Sequence, residues 1–442
     1  MSWKSYQLGD ILKRKRTSEK IIPEKEYKLV TIRLYHKGVC LRSKVRGEEI
    51  KSAMSSVKEG DFILSGIDAR NGAFGIVPAE LDGAVVTNDF WCLEPDEKII
   101  DKEFLLFLTS TEFFDQICKQ SSDGTTQRIR LQKEKFFNYK INLPTIDEQK
   151  RIFSKLKSLE LIKESLFTEL TLQLTLVKKL RQQLLQDAVQ GKLVEQNEKD
   201  ELASELLKKI KAEKQKLIAE KKLKKEKELP PIKPEEILFE VPENWVWCRL
   251  GEICTKIGSG STPKGSNYTS DGKPFFRSQN IYDNGLVYDD IKFISFEVHK
   301  QMNGTTVYAN DILLNITGGS MGRSSLVPED FEEGNVSQHV CIIRPLLVDN
   351  NFYHSITLSP FFQRFIFSST TGAGREGLPK YNLEQFIIPL PPLAEQHRIV
   401  QKLDELMQYC NELEASIKQS QAQNEKLLQQ VLREALRGGG GG

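Results

Sequence analysis

The chain has 442 residues, with 63 Lys and Arg against 61 Asp and Glu, a net charge of +2 at pH 7 and a mean hydropathy of −0.40. This length predicts two or more domains, and the nearly neutral charge means that any nucleic-acid surface must be local. Seven cysteines with no Cys-x-x-Cys spacing argue against a disulfide framework or a zinc site and favour a reducing compartment. The first ten residues do not resemble a signal peptide, and no apolar run is long enough to span a membrane, so we expect a cytoplasmic protein.

Residues 1–142 have the pattern of a mixed α/β domain. Short apolar or β-branched runs at 62–64, 75–77 and 84–87 are separated by Gly, Asp and Asn turn residues, which is typical of strands. Residues 103–120 instead carry apolar side chains at helical spacing.

Residues 143–193 predict one long helix. From Ile152 to Ala188 the apolar residues recur at an average step of 3.6 residues, which places them on one helical face. Pro144 suits the start of the helix and Gly191 its end. Such a helix would be roughly 65–70 Å long, too long for a compact core to cover, so it needs a partner of similar length.

Residues 194–244 are predicted to form a charged helix and a connector. The stretch 194–229 is dense in Lys and Glu with a thin apolar stripe, and four prolines (Pro230, Pro231, Pro234 and Pro242) then favour an extended chain. The lysine run at 221–225 could bind DNA, but such runs are more often a solvated helix face.

The chain then repeats itself, with a second domain at 245–389 and a second long helix at 390–437. Residues 143–152 and 390–399 agree at six of ten positions with a constant offset of 247, and the helix ends agree at the same offset. Polar Gln421 and Asn424 interrupt the second apolar stripe, which is a known way to set helix register. We therefore predict an α/β (α+β) tandem repeat of two globular domains and a pair of long antiparallel coiled-coil helices with pseudo-two-fold symmetry. Two separate core helices are the alternative, and 438–442 should be a glycine tail.

Several stretches together resemble the specificity subunit (HsdS) of type I restriction-modification systems. They are Leu-Pro-x-x-x-Glu-Gln-x-x-Ile at the start of both long helices, 203–214, the connector at 229–245, 68–78 and 259–263. The resemblance covers nearly the whole chain, and its specificity lies in the ordered set of motifs. It implies two target-recognition domains, each reading one half of an asymmetric bipartite DNA site. Half-sites read by dimers lie about one DNA turn apart, and two similar domains held at opposite ends of an antiparallel helix pair would reproduce that spacing with one chain.

The resemblance also implies partners. These are double-stranded DNA, two modification subunits that bind S-adenosylmethionine and methylate adenine, and restriction subunits that use ATP and Mg and cut DNA. The long helices would be their platform. No cofactor is expected in this chain itself.

We find no constellation of catalytic residues in the sequence. The Asn/Asp-Pro-Pro-Tyr/Phe motif of an amino-methyltransferase is absent, and the loop at 260–266 has Ser266 where a phosphate-binding loop requires Lys. The five histidines have no metal-ligand spacing. The chain is therefore predicted to be a non-catalytic recognition subunit.

Candidate DNA contacts follow from residue type and loop position. Direct readout uses Arg, Lys, Asn and Gln, while phosphates accept from Lys, Arg, Ser, Thr and backbone N–H groups. In the first domain the candidates are Lys13, Arg14, Lys15 and Arg16 for phosphates, and Arg70, Asn71, Gln127, Arg128 and Arg130 for bases. In the second domain they are Ser261, Thr262, Lys264, Arg277, Gln279, Asn280, Asn315, Arg323 and Arg375.

Two other functions fit parts of the pattern. A coiled-coil scaffold with protein-binding domains would show no salt-dependent binding to duplex DNA. A fused methyltransferase would bind S-adenosylmethionine by itself, which the missing motifs disfavour.

Overall fold

The computed structural model describes residues 3–124, 129–225, 227–263, 265, 268–369 and 377–437. The chain divides into a first unit, 1–170 with 420–442, and a second unit, 171–419. Each unit contains a mixed α/β domain and a part of both long helices, so the two are described in turn.

The first unit is built from short strands and helices. Its strands are β1 (Lys4–Gln7), β2 (Leu12–Lys15), β3 (Ser18–Glu19), β4 (Glu26–Ile32), β5 (Val39–Arg46), β6 (Met54–Ser56), β7 (Phe62–Ser65), β8 (Phe74–Ile76), β9 (Val85–Thr87), β10 (Phe90–Pro95), β11 (Ser122–Asp123), β12 (Arg130–Leu131) and β13 (Lys140–Leu143). Its helices are α1 (Leu8–Ile11), α2 (Lys102–Thr109), α3 (Glu112–Gln120) and α4 (Lys133–Phe137). One sheet has the order β2-β10-β7-β8 and another the order β3-β6-β9-β4-β5, while β1 pairs with β13 and β11 with β12.

Strand β7 lies between two apolar clusters of the first unit. Phe62 and Leu64 pack into one cluster with Phe74, while Ile63 packs into the other with Val77. Side chains alternate between the two faces of a strand, so a strand buried on both faces is apolar without interruption. This explains why residues 62–64 are recognisable as a strand in the sequence.

The apolar pattern at 103–120 corresponds to two helices, α2 and α3. The break occurs at Thr111, whose Oγ1 accepts a hydrogen bond from the backbone N–H of Phe114 at 3.4 Å and caps α3. A helical hydrophobic pattern continues across such a short break, so the sequence pattern does not reveal it.

The second unit repeats this arrangement. Its strands are β14 (Val246–Arg249), β15 (Cys254–Ser259), β16 (Lys273–Phe276), β17 (Ile281–Tyr282), β18 (Gly285–Leu286), β19 (Lys292–Ile294), β20 (Thr306–Val307), β21 (Ile312–Asn315), β22 (Ser324–Leu326), β23 (Gly334–Val336), β24 (Val340–Pro345) and β25 (Ile387–Leu390). Its sheets have the orders β15-β24-β21-β22 and β19-β16-β23-β20, with β14 paired to β25 and β17 to β18. Strand β16 pairs antiparallel with β19 and parallel with β23. In the first unit β4 pairs in the same way, antiparallel with β5 and parallel with β9. The predicted tandem α/β repeat is confirmed.

The long helices are α5 (Ile146–Val189) and α12 (Leu393–Arg437). With 44 residues, α5 is about 66 Å long. It ends before Gly191, whose φ of +69° favours glycine and whose added Cβ would lie 2.7 Å from Pro242. In the second unit the two helices run antiparallel, because Arg181 of α5 contacts Glu414 at 2.5 Å, while Gln196, which follows α5, contacts Glu395 at 2.6 Å.

The apolar stripe of α5 is only partly covered. Leu156, Val177 and Leu184 are buried as predicted, whereas Ile162 and Leu166 are 54% and 42% exposed. The middle of α5 also exposes apolar residues outside this stripe, and a partner helix covers only one face. These additional residues are Leu161, Phe167, Leu172 and Leu176.

The remaining helices of the second unit are α6 (Ala203–Ala219), α7 (Leu250–Ile253), α8 (Phe296–Gln301), α9 (Asn350–Leu358), α10 (Pro360–Ser368) and α11 (Lys380–Gln385). Helix α6 buries Leu206 and Ile210 of the predicted apolar stripe, together with Ala203. Leu202, also predicted in that stripe, is 53% exposed, and Leu223 lies beyond the end of the helix. The helix ends at Ala219, before the lysine run at 221–225, so that run is not part of the helix.

Candidate nucleic-acid interface

Loops that are distant in the sequence meet at one edge of each domain through the same backbone hydrogen bonds. In the first unit the N–H of Leu131 donates to the carbonyl of Gly66 at 2.8 Å, and the N–H of Gly66 donates to Asp89 at 2.7 Å. In the second unit the N–H of Leu378 donates to the carbonyl of Ile316 at 2.9 Å, and the N–H of Ile316 donates to the carbonyl of His339 at 3.0 Å. We call each group of loops a recognition loop cluster. It comprises 33–38, 66–72, 88–89 and 129–131 in the first unit, and 259–263, 278–280, 316–323, 337–339 and 377–378 in the second.

Arg70 and Asn71 lie on a 3-10 turn, Ala69–Asn71, inside the first loop cluster. Both residues are partly exposed, and the following Gly72 has a φ of +72°. The carbonyls of Asn71 and Gly72 accept hydrogen bonds from the N–H groups of Tyr35 and His36, at 2.8 and 3.0 Å. The turn is thereby held by the β4–β5 hairpin, which leaves the side chains of Arg70 and Asn71 at the surface.

The four adjacent cations at 13–16 have different environments. Arg14 lies 4.8 Å from the ring centroid of Trp91, and its Nη2 donates to the carbonyl of Asn88 at 3.1 Å. Burial, followed by the charge of Arg16, lowers the pKa of the Arg14 guanidinium. Lys15 lies 3.9 Å from Asp61, whereas Lys13 and Arg16 are exposed. Arg14 thus helps to hold the 88–89 loop, and Lys13 and Arg16 are the accessible cations of the stretch 13–16.

Arg130 lies in the first loop cluster, where its Nη1 is 3.0 Å from Asp89. The neighbouring candidates Gln127 and Arg128 lie outside the described residues. Arg130 is exposed, so the ion pair with Asp89 is accessible to a ligand.

In the second unit the Gly/Ser loop is held close to the end of β23. The N–H of Ser261 donates to Val336 at 3.1 Å, and Thr262 Oγ1 donates to Gln338 Oε1 at 2.7 Å. A Cβ at Gly260 would lie 1.8 Å from the Val336 carbonyl, so this approach requires glycine. Ser261 and Thr262 are exposed, while Lys264 lies outside the described residues, as does Arg375.

Arg277 and Gln279 share one carboxylate. Arg277 Nη2 and Gln279 Nε2 donate to Asp290 Oδ2 at 3.0 and 3.1 Å. Hydrogen bonds from Lys292 and then from Arg277 lower the pKa of Asp290 to about 2. The carboxylate is therefore ionised at neutral pH and holds both side chains at the surface of the cluster.

Asn280 and Asn315 are buried in the second loop cluster. Asn280 Nδ2 donates to the carbonyls of Val287 and Asp289, and Asn315 Nδ2 donates to Ser278 at 2.8 Å. In this conformation both side chains hold loops together and neither reaches solvent. Direct contact with a base requires an accessible side chain, so neither residue is positioned to read a base. Arg323 is partly exposed, with its guanidinium 4.7 Å from the ring centroid of Tyr282.

The loop clusters contain several residues that are not among the candidates from the sequence. Asn88 and Asp89 are equivalent to Gln338 and His339, and the offset of 250 residues that also relates 60–64 to 310–314 would have revealed them. The cations of the β4–β5 hairpin were also missed, because they are spaced along two strands rather than gathered in one run. Among the described residues no group of His, Cys, Asp and Glu could hold a metal ion. In that same part of the chain no helix has both the length and the apolar character needed to cross a membrane.

Comparison with known proteins identifies the family. The model of the type I restriction modification DNA specificity domain matches residues 1–175 and 242–421. The specificity subunit of the type I restriction enzyme EcoAI from Escherichia coli is 28% identical over 425 residues, covering 84% of this chain and 71% of that protein. The corresponding EcoEI subunit, also from Escherichia coli, is 27% identical over 436 residues and covers 84% and 72%. The chain therefore belongs to the family of type I restriction-modification DNA specificity domains.

Solved structures agree on the fold. The crystal structure of the HsdS subunit from Thermoanaerobacter tengcongensis matches with a TM-score of 0.57 and 21% identity, covering 99% of this chain and 97% of that one. A chain from a study of complex assembly and conformational transition of the type I R-M system matches with a TM-score of 0.60 and 22% identity, covering 99% and 98%.

Proposed function

We propose that this chain is the DNA specificity subunit of a type I restriction-modification complex and that each domain reads one half of an asymmetric bipartite site. The observation that carries the proposal is the recognition loop cluster, which has the same backbone hydrogen bonds in both domains but different side chains. A conserved backbone with different exposed side chains is suited to one task with two specificities. Arg70, Arg130, Arg277 and Gln279 have side-chain donors that can hydrogen-bond to base edges, and Lys13, Arg16 and Ser261 have donors for phosphates.

The long helices serve as the platform for the partners. Leu172 and Leu176 of α5, both in the second unit, are 51% and 52% exposed, and apolar surface of this kind marks protein interfaces. We assign this surface to two modification subunits, which would bind S-adenosylmethionine and methylate adenine. Restriction subunits that use ATP and Mg would join the same complex.

The chain itself performs recognition and no chemistry. This part of the proposal is supported by the role named for its relatives and by the absence of an amino-methyltransferase motif from the sequence. The complex acts on DNA and is assigned to the cytoplasm. The coiled-coil scaffold is disfavoured by the match to a DNA specificity family.

Methylome sequencing of a host that carries this chain with its modification subunit tests the proposal. We expect a single asymmetric, bipartite adenine motif that disappears without this chain. Replacing residues 2–143 by the equivalent segment of another family member should change one half of the motif and leave the other. A well-formed complex that yields no motif would favour the scaffold instead.

A further inference from the structure

The β4–β5 hairpin of the first unit is strongly basic. Residues 28–46 contain no Asp or Glu, and their Lys and Arg residues are Lys28, Arg33, Lys37, Arg42, Lys44 and Arg46. All of them except Lys28 are exposed. The hairpin is therefore a local basic surface in a chain whose net charge is close to zero.

These cations are mostly unpaired. Lys44 lies 3.6 Å from Glu26, but within the described part of the chain Arg33, Lys37, Arg42 and Arg46 form no ion pair. Lys28 and Lys44 are direct cross-strand partners, an arrangement in which like charges destabilise a strand pair. Repulsion within a surface is relieved when a polyanion binds to it.

Arg42, Lys44 and Arg46 alternate along the edge strand β5. A register shift lies between the pairs Leu29–Ser43 and Val30–Leu41, and it leaves Arg42 as the extra, bulged residue of the strand. All three residues are exposed. From Val39 to Arg46 the strand extends about 24 Å, which is the rise of roughly seven base pairs along one DNA strand.

The hairpin is fixed to the loop cluster at its tip. Besides the backbone hydrogen bonds from Tyr35 and His36 to the 66–72 loop, His36 Nε2 lies 3.1 Å from Asp115 Oδ2, and its ring lies 5.2 Å from that of Phe74. The strand therefore begins beside the proposed base-reading residues and leads away from them.

The lysines at the equivalent position of the second unit are paired with acidic residues. The equivalent strands β16 and β19 carry Lys273 and Lys292, which pair with Glu333 at 3.1 Å and Asp290 at 2.8 Å. The two copies thus share the loop cluster, whereas only the first has a long basic strand with unpaired cations beside it, among the described residues.

We propose that Arg42, Lys44 and Arg46 bind backbone phosphates of the duplex that flanks the first half-site, so that the two domains contribute unequally to DNA affinity. The inference rests on the proposed function of the loop clusters, but concerns affinity rather than sequence choice. Phosphate contacts position a protein on DNA without carrying sequence information. The hairpin should therefore strengthen binding to any sequence and leave the recognised motif unchanged.

The test uses the complete chain, assembled with its modification subunits, and measures affinity for labelled duplexes over a series of salt concentrations. One duplex carries the motif found by methylome sequencing and the other a scrambled sequence. The variant Arg42→Gln/Lys44→Gln/Arg46→Gln should reduce the salt slope by roughly 0.9 for each phosphate that is no longer neutralised, or about 2–3 in all, on both duplexes. At 0.1 M salt this corresponds to roughly eightfold weaker binding for each such phosphate.

The control removes the same charge elsewhere in the first unit. Lys98→Gln/Lys102→Gln/Lys140→Gln changes three exposed lysines outside the hairpin and the loop cluster, and it should leave the slope nearly unchanged. An unchanged slope in the hairpin variant, or an equal loss in the control, would overturn the inference. Loss of the modification subunits from the hairpin variant, with its salt slope retained, would reassign the surface to protein binding. A wild-type complex with no preference for the motif would instead contradict the proposed function, and the effect of the hairpin would still be measurable.

Discussion

Gln149 and Gln396 have equivalent buried positions at the start of α5 and α12, and their hydrogen bonds explain why the repeated motif contains this glutamine. The Oε1 of each accepts from a backbone N–H, that of Asp101 for Gln149 and that of Asp349 for Gln396, both at 2.9 Å. Each Nε2 donates to a proline carbonyl, Pro144 or Pro391, at 2.9 Å. Each glutamine therefore attaches a long helix to its own domain.

Replacing either glutamine by leucine should leave buried backbone groups without partners. We expect Gln149→Leu and Gln396→Leu to lower the free energy of unfolding by about 1–3 kcal/mol each, measured by urea denaturation. Gln401→Leu, on the exposed surface of α12, is the matched control and should change stability by less than about 0.5 kcal/mol. Equal effects of Gln149→Leu and Gln401→Leu would contradict the role described.

Asp290 limits the positive charge of the second loop cluster. Asp290→Asn should release Arg277 and Gln279 and strengthen binding of the complex to duplex DNA, with a salt slope steeper by about 0.9 for each new phosphate contact. Asp271→Asn removes the same charge from an exposed carboxylate that forms no ion pair with the described residues, and it should have less effect. Weaker DNA binding by Asp290→Asn would mean that the fixed positions of Arg277 and Gln279 matter more than their charge.

At the scale of secondary-structure elements, one arginine holds the proline connector against the second domain. Arg249 is buried, and its guanidinium donates to the carbonyls of Pro230 at 3.0 Å and Pro231 at 3.1 Å and to the carboxylate of Glu236 at 2.8 Å. Its hydrogen bond to Glu236 holds the pKa of that carboxyl below its usual value. Prolines make the connector extended, but Arg249 determines where it packs.

Removing this guanidinium should loosen the connector. Arg249→Met retains much of the side-chain volume but leaves several backbone carbonyls without donors. We expect it to lower the free energy of unfolding by about 2–4 kcal/mol, measured by thermal denaturation. Limited proteolysis should then cut near Pro230 more readily. Glu236→Gln, which keeps a hydrogen-bonding side chain, should cost less, and an equal loss would assign the effect to the ion pair alone.

The antiparallel helix contact in the second unit should weaken at low pH. Hydrogen bonds from Lys418 and then Arg181 lower the pKa of Glu414 from 4.5 to about 2. A folded-state pKa below the unfolded value gives stability that is present above about pH 4.5 and is lost as the pH falls towards 2. The melting temperatures of wild type and Glu414→Gln should therefore differ above pH 4.5 and converge on acidification. The difference should be small, since solvent screens this contact, and a constant difference down to pH 2 would contradict this assignment.

At the scale of the whole molecule, the exposed apolar residues of α5 should govern assembly. Leu172→Gln/Leu176→Gln removes two of them without opening a buried core, so the fold should persist while binding to the modification subunits weakens. Co-purification measures this directly. Leu238→Gln, in the connector, removes a leucine that is even more exposed, at 71%, and should leave assembly intact. Normal assembly of the double variant would move the platform to another surface.

Local patterns predicted most of the architecture. The step of 3.6 residues identified α5, and the offset of 247 residues identified the repeat and hence the equivalent domains. The uninterrupted apolar run at 62–64 identified β7. The break between α2 and α3 was missed because a cap at Thr111 changes the backbone without changing the hydrophobic pattern.

The candidate site was predicted less completely. The sequence indicated the loops at 68–72 and 259–263 from their Gly, Asn and Ser residues, which have local backbone preferences. It could not indicate that Arg14 would lie over Trp91 or that Asn315 would donate to Ser278, since the partners of these side chains are distant in the chain. Asn280 is buried by a local fold of the chain, with partners seven and nine residues away, which its residue type alone does not reveal. The basic strand β5 was overlooked for a related reason, because strand pairing exposes alternate residues that a linear scan does not group.

The sequence by itself determined the class of this protein, its two domains and its two long helices, because periodicity and internal repetition are properties of the linear chain. Only the tertiary structure decided which loops meet, which polar side chains stay accessible and which cations lack a partner. Those properties depend on packing between residues that the fold brings together, and the linear sequence does not reveal which residues those are.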